Sequence, residues 1–238
     1  MERRAGEASR PPVDSAFMVL VYHATRADLL SAIRNDGLTP RGSRQGNFGA
    51  DFASRPEYVY LTRYKAMNYA ISAQRLHTDR VAILEFALDD LDRNNCYPDE
   101  DSIVLSKMVA EGTFEGPTHS TRFDELMADT HPAEHGEDFD RIFREFGLIA
   151  YKGVIPYSLV RRFVVAPVRE FQAISGALAP RQPARNDIAG HNKWGTAITQ
   201  FLFDGNAIDG VPERVMRPAE KQRRNFNTRP GPRLAQGE

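Results

Sequence analysis

Residues 81–88 read Val-Ala-Ile-Leu-Glu-Phe-Ala-Leu, seven apolar side chains around one acid. Near-continuous apolarity over eight residues, with β-branched and aromatic members, marks a buried strand and is the firmest such signal in the chain. Residues 17–22 form a second continuous apolar run, with Val19, Val21, Phe17 and Tyr22, and predict a buried strand ending at His23. Thr25 then stands as a helix N-cap, with Asp28 three residues on as in a capping box. Leu29, Leu30 and Ile33 give that helix its apolar face, and Gly37 closes it. Residues 58–61 predict the next strand, with Thr62 as N-cap of a helix bearing Ala66, Tyr69, Ala70 and Ala73. After residues 81–88 come an acidic turn, Asp89, Asp90 and Asp92, and a loop over 98–101. Residues 111–137 read as loop, 138–146 as a short helix, and 147–151 and 162–166 as two further strands. Strands and helices in this order predict an α/β (α+β) domain.

The 238 residues suffice for one core of about 150 residues with extensions. The expected organisation is a flexible leader over 1–16, the domain over 17–168, an extension over 169–213 that packs back on it, and a basic tail over 214–238. Trp194, Ile198, Phe201 and Leu202 form the apolar stripe of the extension. The tail carries six Arg and one Lys against one Glu between 214 and 233, and reads as a disordered end or as a docking arm for nucleic acid or an acidic protein face. Net charge is -1, which neither favours nor forbids an anionic partner. No apolar run approaches the roughly 18 residues of a membrane span, and the polar leader lacks a secretory h-region. With a single cysteine, Cys96, these features predict a cytoplasmic protein and no membrane partner. Residues 39–57, with Pro40, Gly42, Gly46, Gly49 and Pro56, make a connection long enough to act as a lid.

His23 followed by Ala24 and Thr25, then Gly37 and Leu38, then Tyr58, Val59, Tyr60, Leu61 and Thr62 before a helix, form an ordered series of short motifs. It runs on through the Asp-rich turn to residues 152–156 (Lys-Gly-Val-Ile-Pro). In that order and spacing, over roughly 150 residues, the chain resembles the His/Tyr subclass of the ADP-ribosyltransferase superfamily. The resemblance implies a split, mixed β-sheet with NAD as co-substrate in the cleft between its halves. It implies that the Ala24 backbone bonds the nicotinamide amide, that His23 contacts the adenosine-side ribose, and that Tyr60 stacks on nicotinamide. Thr25 and Tyr69 complete the implied NAD contacts, with Tyr58 or Tyr69 as the other candidate stacking rings. These residue types suit the chemistry, since a neutral imidazole can donate to a ribose hydroxyl and an aromatic face suits a cationic pyridinium.

Loss of nicotinamide leaves an oxocarbenium-like centre that a carboxylate stabilises. The family pattern puts a Glu at the start of the fifth core strand, where this chain has Gly147. Glu145 serves as the third catalytic residue beside His23 and Tyr60 if the strand begins sooner or the turn bulges. The implied activity is transfer of ADP-ribose to a macromolecular acceptor, protein or nucleic acid, with release of nicotinamide. An RNA 2′-phosphotransferase-like enzyme, an inactive member of the fold and a nucleic-acid-binding module remain as alternatives. His131 and His135 flank Glu134 in an order wrong for a zinc helix. Asp99, Glu100 and Asp101 lack the spaced ligands of a calcium loop and read as an exposed turn.

Overall fold

A computed structural model describes residues 18–42, 55–73, 79–114, 119–184 and 187–204. The leader, Phe17, the middle of the 39–57 connection, and the basic tail lie outside the described residues. Strand β1 (Leu20–Arg26) leads through a 3-10 turn into helix α1 (Leu30–Asp36). Strand β2 (Tyr58–Thr62), helix α2 (Ala66–Ser72), strand β3 (Arg80–Ala87) and strand β4 (Cys96–Pro98) follow. Helices α3 (Glu100–Glu111), α4 (His119–Ala128) and α5 (Phe139–Phe146) precede strands β5 (Leu148–Lys152) and β6 (Arg162–Pro167). Helices α6 (Val168–Leu178) and α7 (Ile188–Asp204) close the described chain. No helix among the described residues is long and apolar enough to cross a membrane.

The strands lie in the order β4-β5-β2-β1-β3-β6. The α+β class expected from the sequence is the observed one; every pairing is antiparallel, where a mixed sheet was anticipated. Ladders are long inside each half. β1 pairs with β3 from Leu20↔Ala87 to Arg26↔Val81, and β2 with β5 from Tyr58↔Lys152 to Thr62↔Leu148. The halves meet at one residue pair, Tyr22↔Thr62. The sheet is therefore split at the β1–β2 seam.

β3 sits between β1 and β6 and is covered on both faces, which is why its sequence does not alternate. Val81 and Ile83 face one core with α2, α6 and α7; Ala82, Leu84 and Phe86 face a second with Val59, Leu61, Ile149 and α5. The stripe of α7 enters the first core. Ile198, Phe201 and Leu202 are buried there, with Trp194 packed at its margin. Each such buried side chain contributes about 1.5–3 kcal/mol relative to exposure.

Local readings are revised at three points. Thr25 is not an N-cap: Val81 and Ala82 offer ladder partners to Arg26 and Thr25, so β1 continues three residues past His23. Asp28 pairs with Arg26 instead of closing a capping box. Thr62 ends β2 and its hydroxyl accepts from the backbone N–H groups of Lys65 (2.9 Å) and Tyr64 (3.2 Å), so it shapes the turn and α2 starts later, at Ala66. Residues 111–137 are not loop alone but hold α4 and a 3-10 helix, Pro132–Asp138. α4 is mostly polar, and Arg122 ties it to Glu111 at the end of α3 at 2.7 and 2.9 Å.

Candidate functional site at the strand seam

Beyond Tyr22↔Thr62 the two central strands part, and His23 stands where they do. Its Nδ1 lies 2.9 Å from the backbone oxygen of Tyr60. A carbonyl oxygen only accepts, so Nδ1 carries the proton and donates. Burial holds the imidazole below its ordinary pKa, against the opposing pull of that hydrogen bond, and so favours the neutral form. Nε2 of the neutral ring is then an acceptor. This reverses one sequence-based expectation, because a neutral His23 so anchored takes a hydrogen bond from a hydroxyl at Nε2 and does not give one. Ala24 and Thr25, both buried, follow on the same strand beside the opening.

Tyr60 leaves the seam in the other direction. Its phenol donates to Glu100 Oε1 at 2.6 Å and accepts from the backbone N–H of Arg55 at 2.8 Å. Burial first, then the Glu100 charge and hydrogen bond, push the phenol far above its usual pKa, so it stays protonated. Tyr58 is buried and packs edge-on against Tyr60 and Tyr97, with centroids 6.5 and 6.0 Å apart, a core position. Tyr69 on α2 is half-buried, and burial followed by the charges of Asp99, Asp101 and Glu100 raises its pKa. Of the candidate stacking tyrosines, Tyr60 is thus bonded directly to the acidic turn, and Tyr69 feels its charge.

That turn is not exposed. Asp99 is 5% and Glu100 4% exposed, and Asp101 is half-buried. The residues start α3: Asp99 is the N-cap and its side chain accepts from the Asp101 backbone N–H at 2.8 Å. The positive end of the helix axis makes acids sensible there, while burial works against their ionisation. All three carboxyls are raised by burial above all. Asp101 and Glu100 add to the shift of Asp99, hydrogen bonding to Tyr60 opposes that of Glu100, and Lys65 opposes that of Asp101. Glu100 Oε2 is buried with no hydrogen-bond partner among the described residues. Among the described residues no cluster of three or more His, Cys, Asp or Glu converges on a point that would hold a metal ion. The signal for this turn was in the sequence: acids around 99–101 ahead of Ile103, Val104 and Met108 are a helix start.

Glu145 is not brought to the seam. Helix α5 runs through Phe146, so the strand neither begins sooner nor bulges, and Glu145 sits in the last helical turn with its backbone oxygen held by Asn192 Nδ2 at 2.6 Å. Gly147 ends the helix in the left-handed region at φ +67°, and a Cβ there would lie 2.5 Å from the Tyr64 ring. No acid fits at the position the family pattern uses. Cys96 is buried in the second core and its thiol is pushed up to about 11 by burial. His135 lies in a kinked 3-10 helix, 3.8 Å from Asp138, and not on an α-helical face shared with His131.

No protein-family model matches the chain, and neither does any curated protein. Among solved structures the chain is similar to EcPltA at 14% identity, over 63% of this chain and 77% of that one, with a TM-score of 0.36.

Proposed function

We propose that the seam binds NAD and that the protein is an ADP-ribosyltransferase, moving ADP-ribose to a protein or nucleic-acid acceptor and releasing nicotinamide. The observation that carries this reading is the hydrogen bond from His23 to Tyr60 across the split in the sheet. Two residues singled out by the motif series, far apart in the chain, meet where the ladder opens. The rest of the site is compatible in chemistry. Strand β1 beyond Tyr22 has no ladder partner on the β2 side, and there the backbone of Ala24 would pair with the amide of the nicotinamide ring. Tyr60 and Tyr69 offer aromatic faces to a cationic pyridinium. His23 Nε2 accepts from a ribose hydroxyl, and Glu100, whose ionised form the Tyr60 phenol favours by donating to it, adds negative potential where positive charge develops at the sugar.

Nicotinamide release from NAD tests the reading, measured with and without cell lysate for the wild type and Tyr60→Ala. Release that depends on lysate and disappears in the variant is expected. A wild type that neither binds NAD nor releases nicotinamide under either condition would falsify it.

A further inference from the structure

We propose that Glu100 supplies the catalytic carboxylate of this site, its free oxygen Oε2 accepting from a hydroxyl of the ribose whose glycosidic bond breaks. This rests on the NAD reading above and deepens it. Three observations converge. Glu100 is 4% exposed, yet only one of its oxygens is used among the described residues: Oε1 takes the Tyr60 phenol at 2.6 Å, and Oε2 has no partner there. A buried carboxylate oxygen without a donor is costly and is seldom left so unless something else fills the site. Its neighbour Asp99 is already committed, since its side chain caps the helix.

Register supplies the second observation. β4 pairs with β5 up to Pro98↔Ile149, and Glu100 lies two residues beyond Pro98, running toward the start of β5. The end of β4 thus delivers an acid toward the place that Gly147, with its left-handed backbone against Tyr64, denies to β5. The third is company. Tyr60 touches Glu100, and Tyr69 lies within the field of the same turn.

In the step proposed, the bond from the ribose C1′ to the nicotinamide nitrogen breaks and its electron pair leaves with nicotinamide. A lone pair of the acceptor forms the new bond to C1′, and the acceptor's proton passes to solvent. Glu100 stays unmodified and stabilises the cationic sugar through the hydroxyl it holds.

The test compares nicotinamide release, NAD affinity by calorimetry and thermal unfolding for the full-length wild type, Glu100→Gln and Tyr60→Phe. Gln keeps an oxygen for the Tyr60 phenol but loses the charge; Phe removes the phenol and leaves Glu100. Glu100→Gln is expected to lower turnover by about 100-fold or more with NAD affinity within about threefold, and Tyr60→Phe to lower turnover by less than about tenfold. Turnover of Glu100→Gln within about threefold of wild type overturns the proposal, as do equal losses in the two variants, which would make Glu100 only an anchor for Tyr60. Should Glu100→Gln fail to fold, Glu100→Asp keeps the charge but withdraws it by one methylene, and full activity in that variant would overturn the proposal equally. An inert wild type defeats the underlying NAD reading before any variant is made, so the two failures are separable.

Discussion

His23 Nδ1 donates to the backbone oxygen of Tyr60 at 2.9 Å, a side chain bridging the place where the β1–β2 ladder gives out. The NAD reading gives the imidazole a second job, at Nε2, and substitutions separate the two. Asn presents an N–H near the position of Nδ1 and keeps the bridge; Gln reaches toward Nε2. His23→Ala should cost about 0.5–1.5 kcal/mol of stability for the lost hydrogen bond, and His23→Asn much less. Both should lose NAD binding. Urea unfolding beside NAD titration checks this, and an Asn variant that binds NAD normally would remove Nε2 from the site.

Burial of the acidic turn makes the stability of the fold depend on pH. Asp99 is held above its ordinary 3.8 by burial first, then by Asp101 and Glu100. A carboxyl with a folded pKa above its unfolded one binds its proton more tightly in the native state. The stability that this adds is complete below the unfolded value and is lost as pH rises through the folded one. Asp99→Asn abolishes that loss while keeping a good N-cap. The variant's unfolding free energy relative to wild type should therefore grow as pH rises above about 4. A constant difference across that range would show that Asp99 is not perturbed. His23 acts in the other sense: lowered from 6.5 by burial, it costs wild type stability as pH falls below that value, equally in both proteins.

Much of the sheet could be read from the chain because continuous burial leaves a plain apolar run, as along β3. The seam could not. His23 read as the end of a strand because the apolar run stops at Tyr22 and Thr25 resembles an N-cap, yet β3 carries β1 on to Arg26 while the β2 ladder stops at Tyr22, and pairing on only one side has no signature in sequence. Glu145 drew attention for its nearness in sequence to the start of β5, whereas the acid that meets Tyr60 comes from 40 residues along the chain in the other half of the connection. Acids around residue 100 looked like a solvated turn because carboxylates are seldom buried. What buries them is the packing of α3, whose apolar side was overlooked.

Gly147 marks how closely the β5 start is fitted. Its left-handed backbone alone makes Gly147→Ala unfavourable by about 1–2 kcal/mol, and the added methyl meets the Tyr64 ring at 2.5 Å. Placing an acid there as Gly147→Glu should therefore lower the unfolding temperature and leave nicotinamide release no higher than wild type. Higher release from that variant would mean that β5 can present an acid after all.

The last helix is fastened by charge as well as by its apolar stripe. Arg162 on β6 forms two bonds to Glu85 on β3, at 2.7 and 2.9 Å, reaches Asp204 at the end of α7, and lies over the Phe203 ring at 5.0 Å. Glu85 is 3% exposed and Arg162 38%, so the pair is half-screened. Removing Arg162 leaves a buried carboxylate with little compensation, and Arg162→Gln should cost on the order of 2–3 kcal/mol, less than for a wholly buried pair. The loss should reach the site, because α7 packs on Ala66, Met67 and Ala70 of α2, the helix that carries Tyr69. A double-mutant cycle with Glu85→Gln measures the coupling, and the double variant should recover part of the loss. Simple additivity would show that Arg162 acts through Phe203 and Asp204 and that the buried pair contributes nothing of its own.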